Sequence, residues 1–177
     1  MDKILVLVAS ALLAAPLVSL AAPGDGPVKG DRSFTVSGSG SSDNDFDNTA
    51  YGLSGELGYF LTDGWQAGLR QSVNGVDQKD GGNTWAGATR AFIMYNFLDG
   101  NYRPYLGVNV GYIYGEDDVV DDTGAAGLEA GLKLYVLKKT YINFGVEYSW
   151  LFDSTDTFDN NSNDGIYLYN IGVGFNW

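Results

Sequence analysis

The sequence predicts an all-β fold: an eight-stranded antiparallel up-and-down β-barrel that crosses a membrane. Three observations predict it. Apolar residues alternate with small or polar ones in eight successive segments. The connections between those segments alternate between short and long. The apolar face carries no charge at any segment centre, while the opposite face is small, polar and rich in glycine. Strict period-two alternation over ten or so residues argues strand, and a series of such strands joined by turns argues barrel or sandwich.

The elements follow in order. The first strand is expected near 32–41, with Phe34 and Val36 alternating with Ser33, Thr35 and Ser37. The second, near 49–61, sets Leu53, Leu57 and Tyr59 against Ser54, Glu56 and Gly58. The third, near 65–74, sets Trp65, Ala67 and Leu69 against Gln66, Gly68 and Arg70. The fourth, near 84–98, sets Ala91, Ile93 and Tyr95 against Arg90, Phe92 and Met94. The fifth, near 103–115, sets Leu106, Val108 and Val110 against Gly107 and Asn109. The sixth, near 124–137, sets Leu128, Leu132 and Leu134 against Glu129, Gly131 and Lys133. The seventh, near 141–152, sets Ile142, Phe144 and Val146 against Asn143, Gly145 and Glu147. The eighth, near 165–177, sets Ile171, Val173 and Phe175 against Asn170, Gly172 and Gly174. Connections are short at 62–64, 99–102 and 138–140 and longer elsewhere, the longest being 153–164. Short turns at one end and longer loops at the other match a barrel of the outer-membrane type.

Residues 1–22 read as a secretory leader: Lys3, an apolar run, then small residues with Ser19-Leu20-Ala21 as the cleavage motif. Residues 23–31 form a short Gly/Pro segment, and 32–177 are expected to be the barrel alone. After the leader, no apolar run reaches the ~20 residues that a spanning helix needs.

Face polarity decides between a membrane barrel and a soluble ligand carrier. The interior of eight strands is only wide enough for side chains to fill it, so the small polar face is expected inside and the apolar face against lipid. Tyr59, Trp65, Trp85, Tyr105, Tyr114, Tyr141, Trp150 and Trp177 lie near strand ends and are expected to form the two interfacial belts.

Composition excludes several activities. There is no histidine and no cysteine among 177 residues. That removes the commonest general base, Ser-His and Cys-His pairs, and thiolate metal sites. A net charge of -12 argues against nucleic acid as a partner.

The charged residues divide into two sets. Glu56, Arg70, Arg90, Glu129, Lys133 and Glu147 fall on the inward face, three acids against three bases, and are expected to form a lumen ion-pair network. Buried charges must be paired. The longer loops hold 14 acids against Lys79 alone, a formal -13. Within them Glu116, Asp117, Asp118, Asp121 and Asp122 could hold Ca²⁺ or Mg²⁺ loosely through carboxylate oxygens. No other cofactor is expected.

Several motifs in order resemble a known family. Tyr59-Phe60-Leu61-Thr62-Asp63-Gly64 resembles the tight turn between the second and third strands of small outer-membrane β-barrel proteins. Pro104-Tyr105-Leu106-Gly107-Val108-Asn109-Val110-Gly111-Tyr112 resembles their fifth strand. Gly127-Leu128-Glu129-Ala130-Gly131-Leu132-Lys133-Leu134-Tyr135 and Val146-Glu147-Tyr148 resemble the sixth and seventh. The end of the chain, with Tyr169, Ile171, Val173, Phe175 and Trp177 alternating, resembles the C-terminal signal that the outer-membrane assembly machinery recognises, with Trp in place of the usual Phe. The family includes OmpA-type, OmpX-type and OmpW-type barrels, often described as porin-family proteins. The resemblance implies a Gram-negative outer-membrane location, with lipid, lipopolysaccharide and that machinery as partners, and it fixes no single function. A monomeric barrel with a structural or surface-interaction role and a filled lumen is the expectation. A narrow conduit for small solutes is the alternative, and an enzyme is not expected.

Overall fold

The computed structural model describes residues 26–42, 49–77, 83–97, 99–115, 123–152 and 165–177. It contains eight strands: β1 Arg32–Ser42, β2 Thr49–Phe60, β3 Trp65–Asp77, β4 Asn83–Asn96, β5 Tyr102–Gly115, β6 Thr123–Leu137, β7 Thr140–Phe152 and β8 Gly165–Asn176. Each strand pairs antiparallel with its sequence neighbours, and β1 pairs with β8, which closes the barrel. Closure leaves no strand edge with free N–H and C=O groups. The register runs without a break except for one irregularity between Tyr135 and Leu137 on β6.

The period-two pattern sorts every strand into two faces. Leu53, Leu57, Leu69, Val108, Leu128, Ile171 and Val173 point away from the lumen and are exposed, Leu53 to 68%. Ser33, Thr35, Ser37, Gln66, Asn109 and Ser149 point inward and are buried. Among the described residues, Phe92, Met94 and Tyr105 form a small buried apolar cluster. A chain that exposes its large apolar side chains and buries its serines and asparagines is inside out relative to a water-soluble core, whose exposed apolar patches are small. Lipid is the solvent that makes this arrangement favourable. The outward polar exceptions satisfy each other: Thr89 Oγ1 donates to Gln71 Oε1 at 2.6 Å, and Gln71 Nε2 donates to the Tyr114 hydroxyl at 2.6 Å.

Two aromatic residues differ from the expected belts. Trp65, Trp85, Trp150, Trp177 and Tyr59 are exposed on the outer face, but Tyr105 (3% exposed) and Tyr141 (0%) are buried inside. Neighbouring strands make room for them with glycine. A Cβ on Gly131 would collide with the Tyr105 hydroxyl, and one on Gly174 would meet the Tyr141 ring. Arg103, near the start of β5, is also buried inside.

Candidate functional site in the barrel lumen

The inward charges start from an unfavourable register. Arg70 on β3 lies directly opposite Arg90 on β4, and Glu129 on β6 lies directly opposite Glu147 on β7. Like charges placed across a strand pair repel. The barrel resolves this by facing the two pairs across the lumen. Arg70 Nη2 bonds Glu129 Oε2 at 2.8 Å, and its Nη1 bonds Glu147 Oε2 at 3.2 Å. The same guanidinium reaches its cross-strand neighbour Glu56 through Nη2 at 2.8 Å and Nε at 3.1 Å. Arg90 Nη1 pairs with Glu147 Oε1. Arg70 therefore serves three carboxylates, which the planar fork of guanidinium suits. Its Cζ also lies 5.3 Å from the Phe92 ring centre.

Five of the six inward charges expected from the sequence meet in this layer. The sixth, Lys133, lies nearer the short-turn end and is 2% exposed. Three acids and two bases leave the ion-pair layer one formal negative charge. Lys133 Nζ touches no carboxylate in the described residues. It donates to Gln66 Oε1 and to Met94 Sδ, the latter at 3.3 Å. The rings of Tyr105, Tyr141 and Phe60 surround it at 5.2, 5.6 and 5.9 Å. Gln66, Met94 and Phe60 are thus lumen residues that a search for charges alone passes over. Their inward position in the alternation is the signal that finds them.

Below Lys133 inward side chains bond to one another from strand to strand. Gln66 Nε2 donates to Ser33 Oγ at 2.7 Å, the Tyr141 hydroxyl bonds Thr35 Oγ1 at 2.7 Å, and Asn176 Nδ2 donates to the Tyr135 hydroxyl at 2.7 Å. A strap then crosses the short-turn mouth. Gly26 N donates to Lys138 O at 3.0 Å in the β6–β7 turn. Lys29 N donates to Asp63 Oδ1 at 2.7 Å, and Gly30 N to Phe60 O at 2.9 Å, at the β2–β3 turn. Asp31 pairs with Lys139. Gly26 has φ +122° and lies against the Arg103 guanidinium, so a side chain there would meet both a strained backbone and a steric conflict.

The other candidate groups fall elsewhere. Glu116, Asp117, Asp118, Asp121 and Asp122 lie outside the described residues, as do the leader and all the other acidic loop residues except Asp77, which ends β3. Among the described residues no acidic cluster is arranged to hold a metal ion. Ile171, Val173, Phe175 and Trp177 are exposed along the outer face of β8 and its end. Tyr169 shares their position in the alternation and is half-buried.

Comparison with known proteins agrees with this architecture. Residues 5–177 match the model of the outer membrane protein beta-barrel domain. No curated protein matches the sequence. Similar solved structures include the N-terminal β-barrel domain of Pseudomonas aeruginosa OprF, at 19% identity and TM-score 0.60, covering 85% of this chain and all of that one. Neisserial surface protein A is similar at 12% identity and TM-score 0.61, over 83% of this chain and 96% of that one. The outer membrane enzyme PagL is similar at 14% identity and TM-score 0.54, over 80% and 98%. At these identities the likeness is one of fold, and the fold carries both enzymes and proteins of other kinds.

Proposed function

Because the chain belongs to the outer membrane protein beta-barrel domain family, we propose that it is an integral outer-membrane scaffold with a filled lumen, acting through its loops in a structural or surface-interaction role. The inward side chains that bond across the lumen support this reading best. Arg70 ties β3 to β2, β6 and β7 at mid-height. Lys133 and its aromatic rings fill the next level, and the 26–31 strap covers the end. A solute passing through would have to displace all three.

On this reading the short turns and the strap face the periplasm, and the acidic loops face outward. Their charge favours divalent cations and basic surfaces over anions. Residues 1–22 act as a cleaved leader, and the final strand is the segment read by the assembly machinery. The barrel is a monomer in contact with lipid and lipopolysaccharide. Without histidine or cysteine it lacks the Ser-His and Cys-His pairs common in acyl-transfer chemistry, which supports a non-enzymatic role. The conduit alternative draws on one feature: the ion-pair layer's uncompensated negative charge would favour cations if Arg70 moved aside.

Liposome swelling with small sugars tests the proposal. The full chain, reconstituted and confirmed as a barrel by its migration shift on boiling, is expected to give no flux above protein-free vesicles. Swelling that scales with protein content would replace the scaffold with the conduit.

A further inference from the structure

Among the strand residues with described side chains, the outer face of the barrel carries one charged group. Eight strand residues with described side chains are Asp, Glu, Lys or Arg, and seven of them point inward. The eighth, Arg32 at the start of β1, points outward and is exposed. Its guanidinium has no ion pair among the described residues. The adjacent carboxylate, Asp31, is engaged by Lys139 and by the Val28 amide.

Arg32 lines the end of a groove of about 370 Å³ on that outer face. Leu57, Tyr59, Ala67, Leu69 and Trp177 supply the apolar side chains of its lining. The register explains the shape. Ala67 lies opposite Tyr59, and Leu57 opposite Leu69, so a methyl floor runs between larger side chains. Arg32 lies opposite Tyr59, and its backbone pairs with that of Trp177. The groove falls within the roughly 300–1,000 Å³ typical of small-ligand sites. It begins at the aromatic belt of the short-turn end, the level at which phospholipid headgroups lie.

We propose that this groove binds one anionic phospholipid of the inner leaflet, with its phosphate on the Arg32 guanidinium and an acyl chain over Ala67. Charge complementarity selects this occupant. Guanidinium binds phosphate through paired N–H donors, while an apolar protein partner would leave the cation buried and unpaired. The proposal rests on the membrane reading above, with the short turns toward the periplasm.

Native mass spectrometry of the full chain in mild detergent tests it, with dioleoyl-phosphatidylglycerol and dioleoyl-phosphatidylcholine as probes. The wild type is expected to retain one phosphatidylglycerol with about fivefold preference over phosphatidylcholine, the factor that one interfacial basic residue contributes. Arg32→Gln is expected to abolish the preference, and Arg32→Lys to keep most of it. Ala67→Leu, which fills the groove floor, is expected to weaken retention of both lipids. Equal preference in wild type and Arg32→Gln, or none in the wild type, would overturn the site. Each protein is also run boiled and unboiled. A heat-modifiable barrel without lipid preference sinks the groove alone, whereas a wild type that shows no shift and washes off membranes with salt sinks the membrane reading as well.

Discussion

Arg70 and Lys133 are cations in one lumen, and both are largely shielded from water, yet they are held by different chemistry. Arg70 bonds three carboxylates carried by three strands. Lys133 meets one amide oxygen, one thioether and three aromatic rings, with no carboxylate in contact among the described residues. The planar guanidinium can divide its donors among several acceptors, while an ammonium is a compact point charge that a ring face can accommodate. The upper layer is therefore a cross-brace whose members depend on each other. The lower layer is a plug whose cation could be replaced with less damage.

Removing the brace gives the largest expected effect. Arg70→Met leaves Glu56, Glu129 and Glu147 with Arg90 alone, and breaking a buried charge network costs about 3–5 kcal/mol. Urea unfolding in phosphatidylcholine vesicles, followed by tryptophan fluorescence, would show it as a lowered midpoint. Lys133→Met comes next, at about 2 kcal/mol. It loses the cation–ring contacts and leaves Gln66 Oε1 without its donor, but it also removes the cost of burying a charge. If Lys133→Met proved costlier than Arg70→Met in the same assay, the contrast between brace and plug would be broken.

Two smaller changes sharpen the comparison. Gly26→Ala drives a methyl group toward the Arg103 guanidinium and strains a backbone at φ +122°. A cost of about 1.4 kcal/mol would raise opening of the strap roughly tenfold, read as faster trypsin cleavage after Lys29 with the barrel intact. Glu129→Gln has the smallest expected effect, about 1 kcal/mol, because it weakens one bond to Arg70 while bringing the layer's two bases and three acids to charge balance. A loss as large as that of Arg70→Met would mean that Glu129, and not Arg70, holds the layer together.

Much of this arrangement is legible in the alternation of the sequence. Glu56 shares a face with Gly58, and Arg70 with Gly68, so their inward direction follows once the polar face is assigned to the lumen. The pairings across the lumen are not legible. They depend on how far each strand is staggered around the barrel, and local periodicity does not encode that stagger. Tyr105 and Tyr141 show a different failure. Their alternation with Gly107 and Asn143 points inward, but their position near strand ends suggests a membrane belt. The inward direction prevails because Gly131 and Gly174 on adjacent strands leave space for the rings. The strap has no periodic signal, since a Gly/Pro segment acquires its position only from the turns it bridges.

On this reading the lumen is sealed at rest. Ionic current through the full chain, refolded into a planar lipid bilayer and verified as a heat-modifiable barrel, tests it most directly. With Arg70, Lys133 and the strap in place, the membrane is expected to stay at its protein-free baseline across applied voltages. Steady, stepwise, ohmic openings of the wild-type protein would contradict the sealed lumen and make the ion-pair layer part of a conducting path.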